Sequence, residues 1–301
     1  MGTIDNLIST SDLERAWLED VLFPRCDSLA DRRHAGSELN GRALYCLFYD
    51  PSFITRASFE RAMGLLGGSF YQTENASQSF PVTTPNYIDN VVGILQSLRI
   101  DAVVIRSSKS GVMAKAASAG VMPVVSGGGA IDHPTQALAD LYTLKKELGR
   151  LDGLKVAVVG RLEHRNVNAL LTGLSVFDAV TVTTFPFSGG LDPDVEKLCV
   201  ERGVEFKIAE DAAEVASADA VYLNAPRTVA HAQLLGVRSA PGLTIDSDFM
   251  TKLRPDAIVM NPMQRSGDFA IAASGDKRLA YYRQAENALV ARMAVLVELL
   301  S

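Results

Sequence analysis

Gly127-Gly-Gly-Ala-Ile-Asp-His133-Pro-Thr-Gln136-Ala-Leu-Ala-Asp-Leu-Tyr-Thr-Leu144 joins a glycine run to a polar cluster and then to an apolar run. Consecutive glycines tolerate positive φ and close approach of backbone or ligand. Pro134 suits a first helical turn, where its missing N–H costs nothing. Leu138, Leu141, Tyr142 and Leu144 recur at near-helical spacing, which predicts a buried helix from Pro134 to about Leu148. Gly149 fits its C-cap. Between loop and helix lie His133, Thr135 and Gln136. An imidazole and an amide delivered by a flexible loop to a helix start suit an active site. A lone histidine there is more often a surface group, so the neighbours must decide.

Working outward, short apolar runs alternate with helical patterns. Ala43–Phe48, Ala102–Arg106 and Val121–Val125 read as buried strands, the last running into the glycines. Helical patterning covers Thr55–Leu66, stopped by Gly67-Gly68, and then Tyr87–Leu98 and Lys109–Ala119. Ser69 to Pro85 reads as loop around a short strand. An amphipathic run from Ser9 reaches about Arg33. Past Gly149 a second series opens at Lys155–Gly160. Strands follow at Val180–Thr184, Val204–Ile208, Ala220–Leu223 and Ala257–Met260, with helices at Asn168–Phe177 and Pro193–Arg202. The run Ala285–Leu300 is an apolar, packed helix. Such alternation implies parallel sheets flanked by helices. The expected fold is α/β with two domains: residues 1–148 with the terminal helix 285–301 packed on them, and residues 149–284. In both halves the polar residues of interest follow strands, where open parallel sheets bind ligands. They are expected to converge on a cleft between the domains.

Composition excludes several classes of function. A chain of 301 residues with 48% hydrophobic and 21% charged residues is that of an ordinary globular protein. The net charge of −6 gives no field for nucleic acid or an anionic membrane. Cys26, Cys46 and Cys199 have no metal-type spacing and read as reduced and buried, which points to the cytoplasm. The N-terminus lacks the basic and apolar stretches of a signal peptide, and no run of about 18 apolar residues predicts a membrane span. The four histidines have no ligand spacing, and Gly160-Arg-Leu-Glu-His is no dinucleotide turn, so neither a metal nor a cofactor is expected.

With these residues in view, the chain resembles the aspartate/ornithine carbamoyltransferase family, its aspartate branch most closely. His133-Pro-Thr-Gln-Ala-Leu-Ala-Asp-Leu-Tyr-Thr-Leu144 is close to a family motif word for word. Asp50-Pro-Ser52, Thr55-Arg-Ala-Ser-Phe-Glu60 and Gly67-Gly68 resemble the phosphate segment and its helix. Lys155 to Leu171 resembles the first strand and helix of the second domain. Asn261-Pro-Met-Gln-Arg265 resembles a His-Pro-Leu-Pro-Arg loop, and Tyr281 through Arg292 the closing helix. The similarity spans nearly the whole chain in order. It implies transfer of a carbamoyl group from carbamoyl phosphate to the amine of an amino acid or related small molecule. It also implies a homotrimer with sites shared between subunits. Thr55, Arg106 and His133 are implied as donors to the carbonyl oxygen, where charge develops. Gln136 is implied to accept from the carbamoyl NH₂. Ser52 and nearby backbone N–H groups are implied to hold phosphate at a helix N-terminus.

The resemblance breaks at the phosphate. The family's Ser-Thr-Arg-Thr-Arg reads here Ser52-Phe53-Ile54-Thr55-Arg56, so an apolar side chain stands where a phosphate-binding arginine is expected. Phe53 and Ile54 are expected to be buried there. The family's loop lysine, lent by a neighbouring subunit, is also missing. Ser77-Gln-Ser-Phe-Pro-Val-Thr-Thr-Pro85 occupies that stretch, and the first lysine anywhere is Lys109. A hydrogen bond to a charged group contributes about 1.5–3 kcal/mol, so losing two cations would weaken phosphate binding by roughly two to four powers of ten. On the second-substrate side the family's Arg-x-Gln becomes Asn224-Ala-Pro-Arg227, which keeps an arginine with a two-residue shift and lacks the glutamine. A further carboxylate-binding arginine falls on Arg165 or on Asn166, depending on a one-residue gap. Met263 replaces a leucine whose carbonyl helps hold the amine. Arg265 is kept, as a ligand or as a structural ion pair. Three functions fit this pattern: a carbamoyltransferase with an altered phosphate site, a related enzyme using another small carboxylate or acyl ligand, and a non-catalytic scaffold.

Overall fold

A computed structural model describes residues 4–78, 87–224, 246–262 and 275–301. Their contacts group the chain into two compact units, Met1–Ala139 with Asn287–Ser301, and Asp140–Glu286. Arg227, Met263, Arg265 and most of the Ser77–Pro85 stretch lie outside the described residues.

The first unit holds a four-stranded sheet of β1 (Ala43–Phe48), β2 (Ser69–Glu74), β3 (Ala102–Arg106) and β4 (Val124–Ser126). Its order is β2-β1-β3-β4, and every pairing is parallel. Strands β1, β3 and β4 are short apolar runs, as expected for parallel strands covered on both faces, whereas β2 at the edge is polar and largely exposed. Helix α1 (Phe53–Leu66) buries Phe59, Met63 and Leu66 and ends at Gly67, whose φ of 83° only glycine adopts without strain. Helices α2 (Ile88–Ser97) and α3 (Val112–Ser118) supply Ile88, Val91, Val92, Leu95 and Val112 to a core cluster with Val103 and Ile105 of β3. An N-terminal helical run occupies Arg15–Trp17, Leu18–Leu22 and Phe23–Leu29, its middle segment in π geometry.

Helix α4 (Pro134–Leu148) follows the glycine loop. The second unit's sheet contains β5 (Lys155–Arg161), β6 (Thr181–Ser188), β7 (Glu205–Ile208), β8 (Ala220–Asn224) and β9 (Ile258–Met260). Its order is β7-β6-β5-β8-β9, again parallel throughout. Helices α5 (Arg165–Leu174), α6 (Pro193–Glu201), α7 (Ala212–Ala216) and α8 (Ser247–Lys252) accompany these strands.

The chain closes with α9 (Tyr281–Leu300). Its last turns belong to the first unit. Arg292 is buried there, donates to Ser58 Oγ at 2.7 Å, and lies over the Phe59 ring at 5.3 Å. Among the described residues no helix is long and apolar enough to cross a membrane.

Both sheets reverse their winding direction once. In the first, the chain leaves β1 toward β2 and then crosses to β3. In the second, it leaves β5 toward β6 and later crosses to β8. The carboxyl ends of β1 and β3, and of β5 and β8, are therefore the switch points at which doubly wound sheets bind ligands.

Candidate active site

At the first switch point three chain segments emerge side by side. Phe48 pairs with Arg106, and Ile105 with Ser126, so β1, β3 and β4 end together. Tyr49 N–H donates to Arg106 O at 2.8 Å. Gly127 N–H donates to Ile105 O at 2.7 Å and Ser107 N–H to Gly128 O at 3.1 Å, which folds the glycine loop back over the end of β3. Here the glycines serve close approach rather than flexibility. Gly128 has φ 119°, and a Cβ placed on it would stand 2.5 Å from Arg106 Nη1 and 3.2 Å from His133 Cδ2.

That approach brings together two of the residues singled out in the sequence. Arg106, 8% exposed, donates from Nη1 to Gly127 O at 2.8 Å, and the same nitrogen lies 3.5 Å from His133 Nε2. A guanidinium can only donate. In this arrangement Nε2 therefore faces it as an acceptor, which leaves the ring hydrogen on Nδ1, 3.4 Å from Thr135 Oγ1. His133 is buried at the start of α4, and Gln136, half-buried, donates its backbone N–H to His133 O at 2.9 Å. The glycine loop has a support that spacing alone could not reveal. The Asp132 carboxylate accepts from Thr10 N–H at 2.7 Å, from Thr10 Oγ1 at 2.6 Å and from His133 N–H at 2.7 Å. Thr10 is 122 positions away, and neither residue stands in a recognisable motif.

The start of α1 differs from expectation in two respects. Ser52 sits at the N-cap with extended backbone, and its hydroxyl donates to Thr55 Oγ1 at 3.1 Å rather than capping the helix. Thr55 is buried. Phe53 is not: it is 76% exposed, because as the first helical residue it points away from the packed face carrying Thr55 and Phe59. Ile54 is half-buried. The expected burial of both side chains holds only in part for Ile54 and fails for Phe53. Arg56 does not extend freely toward the strand ends. Its Nε donates to Glu74 at 3.0 Å, and the guanidinium also lies 3.6 Å from Glu60 one helical turn on.

At the second switch point Gly160 pairs with Asn224, so β5 and β8 end together. Asn224 Nδ2 donates to Arg161 O at 2.8 Å, and Arg161 pairs with Glu163 at 3.2 Å. His164 caps α5 by accepting the Asn166 N–H on Nδ1 at 3.3 Å. Asn166 is buried beneath this turn and Arg165 is half-buried beside it. A buried polar chain underlies the same strands. The Tyr222 hydroxyl donates to Asp140 at 2.9 Å, Gln284 Nε2 donates to Asp140 at 2.6 Å, and Gln284 Oε1 accepts from Asn261 N–H at 2.8 Å. Burial and the adjacent Asp140 charge push the Tyr222 phenol well above its usual range, so it stays a donor. Sequence patterning placed Tyr222 in a strand and Gln284 at the edge of a helix. It could not show that both reach one carboxylate.

Comparison with known proteins covers nearly the whole chain. Residues 5–146 match the family model for the aspartate/ornithine carbamoyltransferase carbamoyl-P binding domain, and residues 152–299 that for the Asp/Orn binding domain. The chain is 33% identical to aspartate carbamoyltransferase 1, chloroplastic, of Pisum sativum over 306 residues, covering 99% of this chain and 79% of the relative. It is 35% identical to the chloroplastic aspartate carbamoyltransferase of Arabidopsis thaliana over 268 residues, covering 87% of this chain and 68% of that one. The crystal structure of aspartate transcarbamoylase from Trypanosoma cruzi in complex with carbamoyl phosphate superposes with a TM-score of 0.86 at 27% identity, covering 99% of this chain and 96% of that chain. Two parallel sheets with matching switch points, a glycine loop that seats an arginine against a histidine, and these relatives place the chain in the aspartate/ornithine carbamoyltransferase family.

Proposed function

We propose that the protein transfers the carbamoyl group of carbamoyl phosphate to the amine of an amino acid, with a phosphate site altered from the family pattern. The observation that carries this is the Arg106–His133 pair, pressed together by Gly128 at the β1/β3 switch point. A donor carbonyl placed there meets a fixed cation and an imidazole. When the oxygen takes the place of Nε2 as the acceptor for Arg106, the neutral ring can switch tautomer, its one hydrogen moving from Nδ1 to Nε2, and both groups then donate to the oxygen on which charge develops as the amine attacks. Thr55 adds a third donor, and Gln136 orients the carbamoyl NH₂. Residues 1–148 bind the donor and residues 149–284 the amine, with Arg165 or Asn166 together with Arg227, Met263 and Arg265 on the amine side. The protein acts in the cytoplasm as a homotrimer with shared sites. Its three cysteines, all buried thiols, agree with a reducing compartment.

The test is carbamoyl transfer from radiolabelled carbamoyl phosphate over a panel of amino acids, with aspartate first. A carbamoylated product that requires enzyme supports the proposal, and none at high enzyme concentration overturns it. The apolar Phe53-Ile54 at the helix start favours a second reading, in which another small carboxylate or acyl compound occupies the donor site. Mass spectrometry of ligands co-purifying with the protein decides between the two.

A further inference from the structure

Helix α1 begins without a side-chain cap. Ser52 stands at the N-cap, but its hydroxyl donates to Thr55 Oγ1 at 3.1 Å and accepts no backbone N–H of the turn. Phe53 points to solvent, so its side chain gives the turn no packed anchor. The turn is held instead from Ser58, one turn further along. The Ser58 hydroxyl lies 2.6 Å from Ile54 O and 2.9 Å from Thr55 O, and its single hydrogen serves these two carbonyls. A serine that bonds back to the preceding turn sets the local bend of a helix. This hydroxyl is itself held. Arg292, 234 positions away on α9, donates from Nη1 to Ser58 Oγ at 2.7 Å, and its guanidinium lies 5.3 Å from the centre of the neighbouring Phe59 ring. The incoming N–H takes an acceptor position of the hydroxyl, so the hydroxyl hydrogen stays turned toward Ile54 O and Thr55 O.

Arg292 is 1% exposed. A guanidinium at that depth costs free energy that an apolar side chain of similar volume does not, so packing alone gives no reason for a cation here. A charged donor strengthens the bond to the hydroxyl and polarises the hydroxyl's own bond to the carbonyls. Contacts thus run from Arg292 to Ser58, from Ser58 to the Ile54 and Thr55 carbonyls, and within that turn to the Ser52–Thr55 hydroxyl pair. We propose that Arg292 is a positioning residue: through Ser58 it fixes the first turn of α1 and so places the Ser52–Thr55 pair. Its effect on the reaction rests on Thr55 acting as a donor to the carbonyl, as proposed above.

The test compares the protein with Arg292→Met, Arg292→Lys, Thr55→Val and Arg292→Met/Thr55→Val. Arg292→Met is expected to lower kcat for carbamoyl transfer roughly tenfold, since a misplacement of about 1 Å costs roughly 10²-fold and a loosened turn shifts by less. KM for the amino acid should stay near wild type. Arg292→Lys keeps a charged donor for Ser58 and should recover most of kcat. In the Thr55→Val background the donor hydroxyl is gone, so adding Arg292→Met should change kcat by less than about twofold. It should still lower the melting midpoint as much as it does in wild type. An equal loss of kcat in both backgrounds, or an unchanged kcat in Arg292→Met, overturns the proposal, because Arg292 would then serve stability alone. Should Arg292→Met fail to fold, Ser58→Ala carries the same comparison, with Ser58→Ala/Thr55→Val as its double variant. If wild type shows no transfer, the proposed reaction has failed separately. The Thr55 methyl resonance of threonine-labelled protein then decides on the positioning. A resonance displaced by Arg292→Met and restored in Arg292→Lys upholds it; one unmoved by Arg292→Met, or moved equally by both, rejects it.

Discussion

Gly128→Ala should damage catalysis more than it damages the fold. The backbone there has φ 119°, a region in which a side chain costs about 1–3 kcal/mol. The new Cβ would also stand 2.5 Å from Arg106 Nη1 and 3.2 Å from His133 Cδ2. Ordinary carbon–nitrogen contact requires the guanidinium to retreat by about 1 Å, and a misplacement of that size in a reacting constellation costs roughly 10²-fold in rate. Arg106 cannot swing aside freely, because it is buried and its Nη1 is bonded to Gly127 O. Gly129→Ala is the control, since its nearest neighbour, Asp132 O, lies 3.3 Å away. The assay is kcat/KM for carbamoyl transfer alongside denaturant unfolding. Gly128→Ala should lose about 10²-fold in kcat/KM and about 1–3 kcal/mol in stability, whereas Gly129→Ala should change activity only a few-fold. A Gly128→Ala enzyme as active as Gly129→Ala would refute the claim that the glycine seats Arg106 against His133.

Other consequences follow from the supporting contacts. Asp132→Asn weakens three hydrogen bonds to a carboxylate, two of them from Thr10, and should lower unfolding free energy by about 2 kcal/mol in urea titration. No loss would show that the N-terminal segment does not brace the loop. Gln284→Leu removes both the donor to Asp140 and the acceptor for Asn261 N–H, and should cost about 2–4 kcal/mol. Tyr222→Phe should cost less, because one bond is lost rather than two, and the reverse order would contradict the network as described. Burial pushes the Cys199 thiol from 9.0 up to about 11. The unfolded thiol ionises first, so this stability is full below pH 9 and is lost as pH rises toward 11. Cys199→Val should flatten that alkaline limb of the melting curve, and an unchanged slope would exclude the thiol as a contributor.

Much of the fold was legible because its central strands are short apolar runs between turn residues. Ala43–Phe48 and Ala102–Arg106 formed as the pattern indicated, and Pro134 and Gly149 mark the ends of α4 for the reasons given by capping. Proline misled the pattern twice. The expected strand Val121–Val125 begins only at Val124, since Pro123 has no N–H to donate to the ladder. The strand expected to stop at Thr184 continues through Pro186 to Ser188, because Pro186 pairs with Gly160 where the register shifts and the lost donor matters least. At the candidate site, family motifs singled out Thr55, Arg106, His133 and Gln136, of which the structure brings Arg106 and His133 together. The residues that seat them were not legible. Gly128 read as loop flexibility until its distance to Arg106 was known, and Thr10 and Asp132 meet only through the tertiary fold. The apolar character of Phe53 and Ile54 was plain, but not that the first helical turn leaves Phe53 exposed.

Carbamoyl transfer measured side by side for wild type, Arg106→Ala and His133→Ala bears most directly on the central claim. Wild type is expected to give enzyme-dependent product, and each variant to lose roughly 10²–10³-fold in kcat, as for removal of a donor to a developing oxyanion. Equal rates in all three proteins, or no product from wild type, would contradict that claim.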